Sequence, residues 1–567
     1  MRTMLFMTNS RNMKLNALKL SLIAAILPLC FNSCIKVNGT LGEDFVPEIE
    51  KLNVYVSEEI PISDISLRLT DSLSGISQKR ITIGSTRDEV FGLCKRGCAL
   101  TLVPVFDSVD FGTDPKLKSF KFMVSRDTTS TVDEKQTNIL QNIFVYELGE
   151  PLDSVYDINS KLNVNRTKRV SKIIPVFDGT ADSLRFDFTK EFGEKYLKTL
   201  SSADKSLWND MAAYTKALPG IFLETDDPVG FGGRVNMFNL QLDFSFTSYS
   251  IGGNCALMEF SSDFDGVTKD TSCLFYFSPD KFYYADSLLY YTASGELPQY
   301  CLNVASHESE AYVGPAGENI LVEGAGGLSP VIKSTTLKQM MIDEISKHGN
   351  PADAIINQAT ITFPYEFPDN YKEMETYPVI LNPTARIKVA DGYYSFASLT
   401  ETSIANKSMG AINRSLNQYS PDITYHAQCI LSKDLKPSEM SDYDVWFLIM
   451  ASQVIEDETS ASEDAQNDYY NTMMYANYYS NMYGYGGYGG YGGYGYGGYG
   501  GYGGYDYYDN YYNYMMYASM YGYGYEEQTE IVLDKDNYYK ARLNGPNPAD
   551  KTKAVPSLKI IYSIPKN

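Results

Sequence analysis

The side chains that most often carry nucleophilic or acid–base chemistry are scarce in this chain, so each can be weighed singly. Among 567 residues there are three histidines, His307, His348 and His426, and eight cysteines. His307 lies in Ser306-His307-Glu308-Ser309-Glu310, whose polarity predicts a solvated loop. His348 precedes Gly349-Asn350-Pro351, a helix stop, and reads as a C-terminal helix residue favoured by the macrodipole. His426 stands three residues before Cys429. Their segment reads as a strand, on which residues three apart face opposite sides, so a nucleophile–base pair is not expected. No Gly-x-Ser-x-Gly elbow, His-Glu-x-x-His pair or Cys-x-x-Cys pair occurs. No catalytic residue and no cofactor is assigned.

Two further patterns bear on ligands. Asp263, Asp265 and Asp270 present oxygen donors at a calcium-like spacing. They lack the third acidic position and the closing bidentate Glu of an EF-hand loop, so an ordinary acidic turn explains them better. Glu323-Gly324-Ala325-Gly326-Gly327 has the glycines of a phosphate loop, but no Lys-Ser/Thr follows, and a glycine-rich β-turn is expected. Asp and Glu are too abundant for any carboxylate pair to be singled out as a glycosidase centre.

The elements that must position these residues are mostly strands. Ser66–Thr70 and Leu184–Phe188 alternate apolar and polar residues, and 97–106 is a more continuous apolar run. Phe238, Leu240, Leu242, Phe244 and Phe246 alternate with polar residues as one half-buried strand. Val445–Met450 reads as a buried strand and Leu558–Tyr562 as the last one. Helical spacing marks 191–217, as two short helices joined at Ser201-Ser202, and Thr336–His348, where Leu337, Met340, Met341 and Ile345 share a face. Many strands and few helices favour a mainly β fold of two antiparallel β-sandwich-like domains, 62–190 and 218–467 completed by 526–567, with 191–217 as a helical connector.

The N-terminal stretch places the chain. Lys14 and Lys19 give a basic start, Leu20 to Leu29 form an uncharged apolar run, and Phe31-Asn32-Ser33 leads into Cys34. The run is too short to span a bilayer comfortably. It reads as a lipoprotein signal, residues 1–33 with a start at Met13, ending in Cys34 as the lipid acceptor; acyl chains there would hold the protein on a membrane. Residues 34–61 read as a tether. Six cysteines remain in the mature chain: Cys94, Cys98, Cys255, Cys273, Cys301 and Cys429. Cys94 with Cys98, and Cys255 with Cys273, are the candidate disulfides, although so low a count does not build a fold.

A formal charge of −22 makes nucleic acid or an anionic membrane surface an improbable partner. Residues 468–525 stand apart, built of Gly-Gly-Tyr and Gly-Tyr units that hold 23 of the 47 tyrosines. With this much glycine and no aliphatic core, a long disordered insert is expected. Its rings could stack on sugars, on peptidoglycan or on one another.

The order of landmarks resembles a family of outer-membrane lipoproteins of Bacteroidota, the domain-of-unknown-function family 4270. Its landmarks here are Leu41-Gly42-Glu43-Asp44, Ile83-Gly84 with Val90-Phe91-Gly92, Phe144–Leu148, Leu218–Phe222, Glu323–Gly327, Ile356–Ala359 and Pro556–Tyr562. The resemblance implies a β-rich exported lipoprotein of the outer membrane and carries no assigned activity. Three readings follow: a non-enzymatic envelope protein binding a glycan or a protein partner, a polysaccharide or peptidoglycan hydrolase, and an adhesive or structural protein acting through its Tyr/Gly-rich insert.

Overall fold

The computed structural model describes residues 52–566, leaving out 78–79, 105–108, 132–138, 153–155, 203–206, 208–209, 241, 246–249, 278–282, 285–286, 289–300, 391–392, 401–407, 434–435, 437–439 and 456–527. The signal segment with Cys34, most of the tether and the Tyr/Gly-rich insert therefore lie outside the described residues. The chain divides into two compact units. The smaller, Met1–Val54 with Ser563–Asn567, is described only at Leu52–Val54 and Ser563–Lys566, which are strand and strand end. The larger, Tyr55–Tyr562, holds everything that follows.

The protein is mainly β, with antiparallel sheets and few helices. A thirteen-stranded sheet dominates the larger unit. Strands β1 (Arg80–Asp88) and β2 (Gly92–Leu100) form a hairpin, and β3 (Cys301–His307) lies antiparallel to β2. The sheet also holds Thr113–Thr131, Gln141–Leu148, Gly232–Asn239, Cys255–Phe264 and Val267–Tyr276. Alternation fills its core: Phe120, Phe122 and Val124 point inward from one strand, and Phe186, Phe260 and Phe275 meet them within one buried cluster. The rings stack and tilt at 4.6–6.4 Å between centroids, as Phe120 does on Phe188, Phe192, Tyr196 and Phe275.

The helical segment matches its spacing. Lys190–Ser201 and Met211–Ala217 are helices, and the first buries Phe192, Tyr196, Leu197 and Leu200. It is capped by Thr189, whose hydroxyl accepts from the Phe192 amide. The strands before and after this segment join one sheet, because Ile221–Thr225 pairs with both β2 and Gln141–Leu148. Ile65–Leu69 instead joins a seven-stranded sheet with Leu328–Ile332, Val445–Ile455 and Ile380–Ala390. Neither sheet respects a division at 191–217. A third, two-stranded ribbon pairs β4 (Asn319–Glu323) with β5 (Lys540–Asn544).

Local expectations met the backbone unevenly. The alternating run from Phe238 to Phe246 is broken into Gly232–Asn239 and Leu242–Ser245, and Tyr425–Cys429 lies on a helix, Thr424–Ser432, rather than a strand. Among the described residues no helix is long and apolar enough to cross a membrane.

Gly220 shows how tightly the large sheet closes. Its φ is +107°, and a Cβ there would stand 2.1 Å from the Leu100 carbonyl oxygen. Backbone strain of about 1–3 kcal/mol adds to that overlap. Gly220→Ala should therefore lower stability by about 2 kcal/mol or more. A urea midpoint unchanged from the parent protein would refute this close approach.

Candidate functional site

Two cross-strand pairs from different sheets converge on one buried spot. On the large sheet, β2 and β3 run antiparallel with Cys94 directly opposite His307. Directly opposed residues hold their Cβ atoms roughly 4.5–5.5 Å apart on one face. On the ribbon, Glu323 of β4 lies directly opposite Lys540 of β5. Cys94, His307 and Glu323 each offer a donor atom, and no separation among these atoms exceeds 4.8 Å. All four residues are buried: Cys94 is 2 % exposed, His307 9 %, Glu323 3 % and Lys540 5 %.

The supports are specific. His307 ends its strand, and the next residues enter a 3-10 turn, Glu308–Tyr312. Within that turn the buried Ser309 donates its hydroxyl to Glu323 Oε2. The glycine-rich turn after β4 is a real turn, with Ala325 and Gly326 at φ of 54° and 77°. It brings the Ala325 carbonyl to His307 Nε2 at 2.9 Å. A carbonyl only accepts, so Nε2 carries the proton. On the ribbon side, Arg96 donates to the carbonyls of Asp536 and Asn537, the latter at 2.9 Å, and Lys535 Nζ donates to those of Ser74 and Ile76 at 2.7 and 2.6 Å. These bonds tie the loop before β5 to the large sheet and aim Tyr538 and Lys540 at the site. Lys540 Nζ lies 5.2 Å from the Phe91 ring centroid and 5.0 Å from that of Tyr538, a cation–π seat.

The electrostatics are those of a buried ion pair. Burial disfavours the imidazolium of His307, yet the charges of Glu323 and Cys94 outweigh it and hold its pKa well above the ordinary value. Burial pushes the Glu323 carboxyl up, and His307, Lys540 and the Ser309 hydroxyl bring it below the usual range. Burial likewise raises the Cys94 thiol, but attraction to the His307 imidazolium leaves it below its ordinary value. His307 Nδ1 and Glu323 Oε1 are 3.2 Å apart, close enough to pair, but they are not aligned as a hydrogen bond. Both atoms, and Lys540 Nζ, lack a hydrogen-bond partner among the described residues.

This is not the geometry of a nucleophile–base–acid relay. In such a triad the imidazole gives one nitrogen to the nucleophile and the other to the acid. Here Nε2 is taken by Ala325, leaving Nδ1 alone to face Cys94 and Glu323. What the cluster offers is a mixed thiolate, imidazole and carboxylate donor set around one point, with an outer hydrogen bond fixing the tautomer.

The other candidate residues settle elsewhere. His307 is buried at a strand end and not solvated in a loop. His348 lies three residues beyond helix Ser334–Ile345, its Nδ1 2.7 Å from the Tyr562 hydroxyl and its ring stacked on Tyr55 at 4.2 Å. His426 donates from Nε2 to the Tyr443 carbonyl at 2.9 Å. Asp265 and Gly266 form a tight hairpin turn, and Asp263 accepts from the Gly266 amide at 2.6 Å. Asp270 is opposite Ser261 on the return strand and pairs with Lys118, so it is not gathered to that turn.

No disulfide forms among the described cysteines. Cys94 and Cys98 sit four residues apart on β2, about 13 Å at the strand rise and beyond disulfide reach. Cys273 lies opposite Met258 rather than Cys255. The sulfurs the fold does bring together are those of Cys98 and Cys301, 3.6 Å apart.

No family model, curated protein or solved structure matches this chain. Its chemistry therefore has to be read from its own geometry. A surface hollow of about 70 Å³ near Glu147, Lys168, Glu191 and Lys195 is too small for a drug-sized ligand, which takes roughly 300 Å³ or more. Its carboxylates are already matched, Glu191 with Lys168 at 2.8 Å and Glu147 with Lys195.

Sequence reasoning named Cys94, His307 and Glu323 separately, as half of a disulfide, a solvated loop residue and a turn marker, and did not join them. One signal was present: Cys301, Asn303, Ala305 and His307 alternate with Leu302, Val304 and Ser306, which puts His307 on the same strand face as Cys301.

Both buried histidines bear on stability. Removing one member of a buried ion pair leaves the other uncompensated, at about 3 kcal/mol or more. In metal-free buffer, His307→Asn and Glu323→Gln should each lower unfolding stability by about that much. The double variant should lose less than their sum by more than about 1 kcal/mol, and strictly additive losses in urea titrations would break the pairing. His426 is the second. Burial lowers its pKa to about 4, so the folded state holds neutral imidazole. Its stabilisation is complete above the ordinary value near 6.5 and is lost as pH falls towards 4, roughly 3 kcal/mol in total. His426→Gln should flatten that part of the stability profile between pH 7 and pH 4, and an identical slope in both proteins would contradict the assignment.

Proposed function

We infer that this chain is an exported, lipid-anchored outer-membrane lipoprotein whose β-body binds a glycan or protein partner at the cell envelope without chemical turnover. The observation that carries the reading is the N-terminal order of Lys14 and Lys19, the apolar run Leu20 to Leu29, and Phe31-Asn32-Ser33 before Cys34. Membership of the Bacteroidota lipoprotein family that the landmarks resemble belongs to the same proposal. The body is of a kind that suits binding. Its strongest cluster of chemical groups is buried, while Phe367 and Tyr371, 52 % and 66 % exposed in one connecting segment, offer ring faces to a sugar or a peptide.

The anchor is tested first. The parent protein should incorporate labelled palmitate and partition with detergent-solubilised membranes, whereas Cys34→Ala should take up no label and appear in the soluble fraction. A Cys34→Ala protein that remains labelled would reject Cys34 as the lipid acceptor. Binding is tested on glycan arrays and by crosslinking in intact envelopes, where Phe367→Ser and Tyr371→Ser should weaken capture without changing the unfolding midpoint.

A further inference from the structure

We propose that Cys94, His307 and Glu323 form a binding site for a divalent transition-metal ion, zinc being the ion that suits their chemistry, and that this ion locks the β4–β5 ribbon onto the large sheet. The proposal is independent of the lipid anchor and of any external partner.

The donor set is the first argument. A thiolate, an imidazole nitrogen and a carboxylate oxygen together suit a borderline ion such as zinc, whereas calcium and magnesium take oxygen ligands. The second is the state of the donor atoms. His307 Nδ1 and Glu323 Oε1 are buried, face one another at 3.2 Å and lack hydrogen-bond partners among the described residues. Buried polar atoms are normally satisfied, so two orphans aimed at one point call for a missing third body. Their spacing suits one: ligands about 2.0–2.3 Å from a tetrahedral ion lie roughly 3.3–3.7 Å from each other. The widest donor separation, at most 4.8 Å, closes with about 1 Å of movement.

The outer contacts are the third argument. A ligating imidazole usually donates its other N–H to a carbonyl or carboxylate, and here Nε2 donates to Ala325 at 2.9 Å. The second carboxylate oxygen of Glu323 is held by Ser309, which leaves Oε1 to the ion.

Lys540 is the apparent objection, since it brings a positive charge beside a dication. Thiolate and carboxylate together neutralise the ion, and the ammonium rests over the faces of Phe91 and Tyr538. Three protein donors also leave a fourth coordination place for a water or hydroxide. That ligand would accept from Lys540 Nζ, the third orphaned atom of the cluster. One hydrated ion thus satisfies all three.

The site is closed, so the metal would enter as the chain folds. The full chain should be refolded with zinc, with cobalt(II) or with a chelator, and then dialysed. About one zinc per chain should remain, and the thermal midpoint should be higher than in the chelated sample. The cobalt form should show a thiolate-to-metal charge-transfer band with the intense visible bands of a tetrahedral site. Cys94→Ser should abolish the charge-transfer band, Glu323→Gln should weaken zinc binding at least ten-fold, and Asp263→Asn should leave both unchanged. Should Cys94→Ser fail to fold, as judged by circular dichroism, the cobalt spectrum of the parent protein decides alone. Folded parent protein that retains no zinc, a cobalt spectrum typical of six oxygen ligands, or a charge-transfer band that survives Cys94→Ser would overturn the proposal.

Discussion

The seating of the β4–β5 ribbon on the large sheet depends on how two pairs of strands bury charge against each other. Cys94 and His307 come from one antiparallel pair, Glu323 and Lys540 from another, and all four are buried. A single buried carboxylate or ammonium would cost several kcal/mol, and the group would neutralise or the segment would open. Brought together, Glu323 stabilises the His307 imidazolium, Lys540 helps hold Glu323 ionised, and the aromatic faces of Phe91 and Tyr538 receive the remaining charge. The cluster favours one docking of the ribbon, because a shift of one residue in either pair would turn two of these groups away.

A second buried polar network performs a comparable service within the large sheet. Arg234, fully buried, donates to Asn236 Oδ1 at 2.7 Å and to the carbonyls of Ile139 and Phe177 at 2.8 and 2.9 Å. Gln141 returns a hydrogen bond to the Arg234 carbonyl and receives one from Asn236. Burial depresses the guanidinium pKa, and the carbonyl acceptors compensate through hydrogen bonds. The two networks differ in what they leave unsatisfied. Nδ1, Oε1 and Nζ are orphaned around Cys94, and that difference is what singles out the first as a site.

A rigid β-frame holds exposed rings such as Phe367 and Tyr371 in place, so a contact made there costs little entropy. Gln528–Leu533 pairs with Val445–Ile455 in the seven-stranded sheet, and the loop held by Arg96 and Lys535 joins it to β5 of the ribbon.

The amino-acid sequence by itself determined the local character of the chain. Alternation of Leu184, Phe186 and Phe188 with polar residues specifies a half-buried strand, the helical spacing of Tyr196, Leu197 and Leu200 specifies a helix, and the glycines after Glu323 specify a turn. Each is set within ten residues, where backbone geometry and side-chain period act directly. Thr424–Ser432 is a helix where a strand is expected, because its short apolar run suits either period and tertiary packing chose between them. Only the tertiary structure decided the site. Strand period tells which face a residue takes, but not which strand lies beside it or in what register. Cys94 and His307 are brought opposite each other across two hundred residues of chain, and Glu323 and Lys540 across as many again. Such pairings are selected by the packing of whole sheets, so the residues that meet there carry no shared local signal.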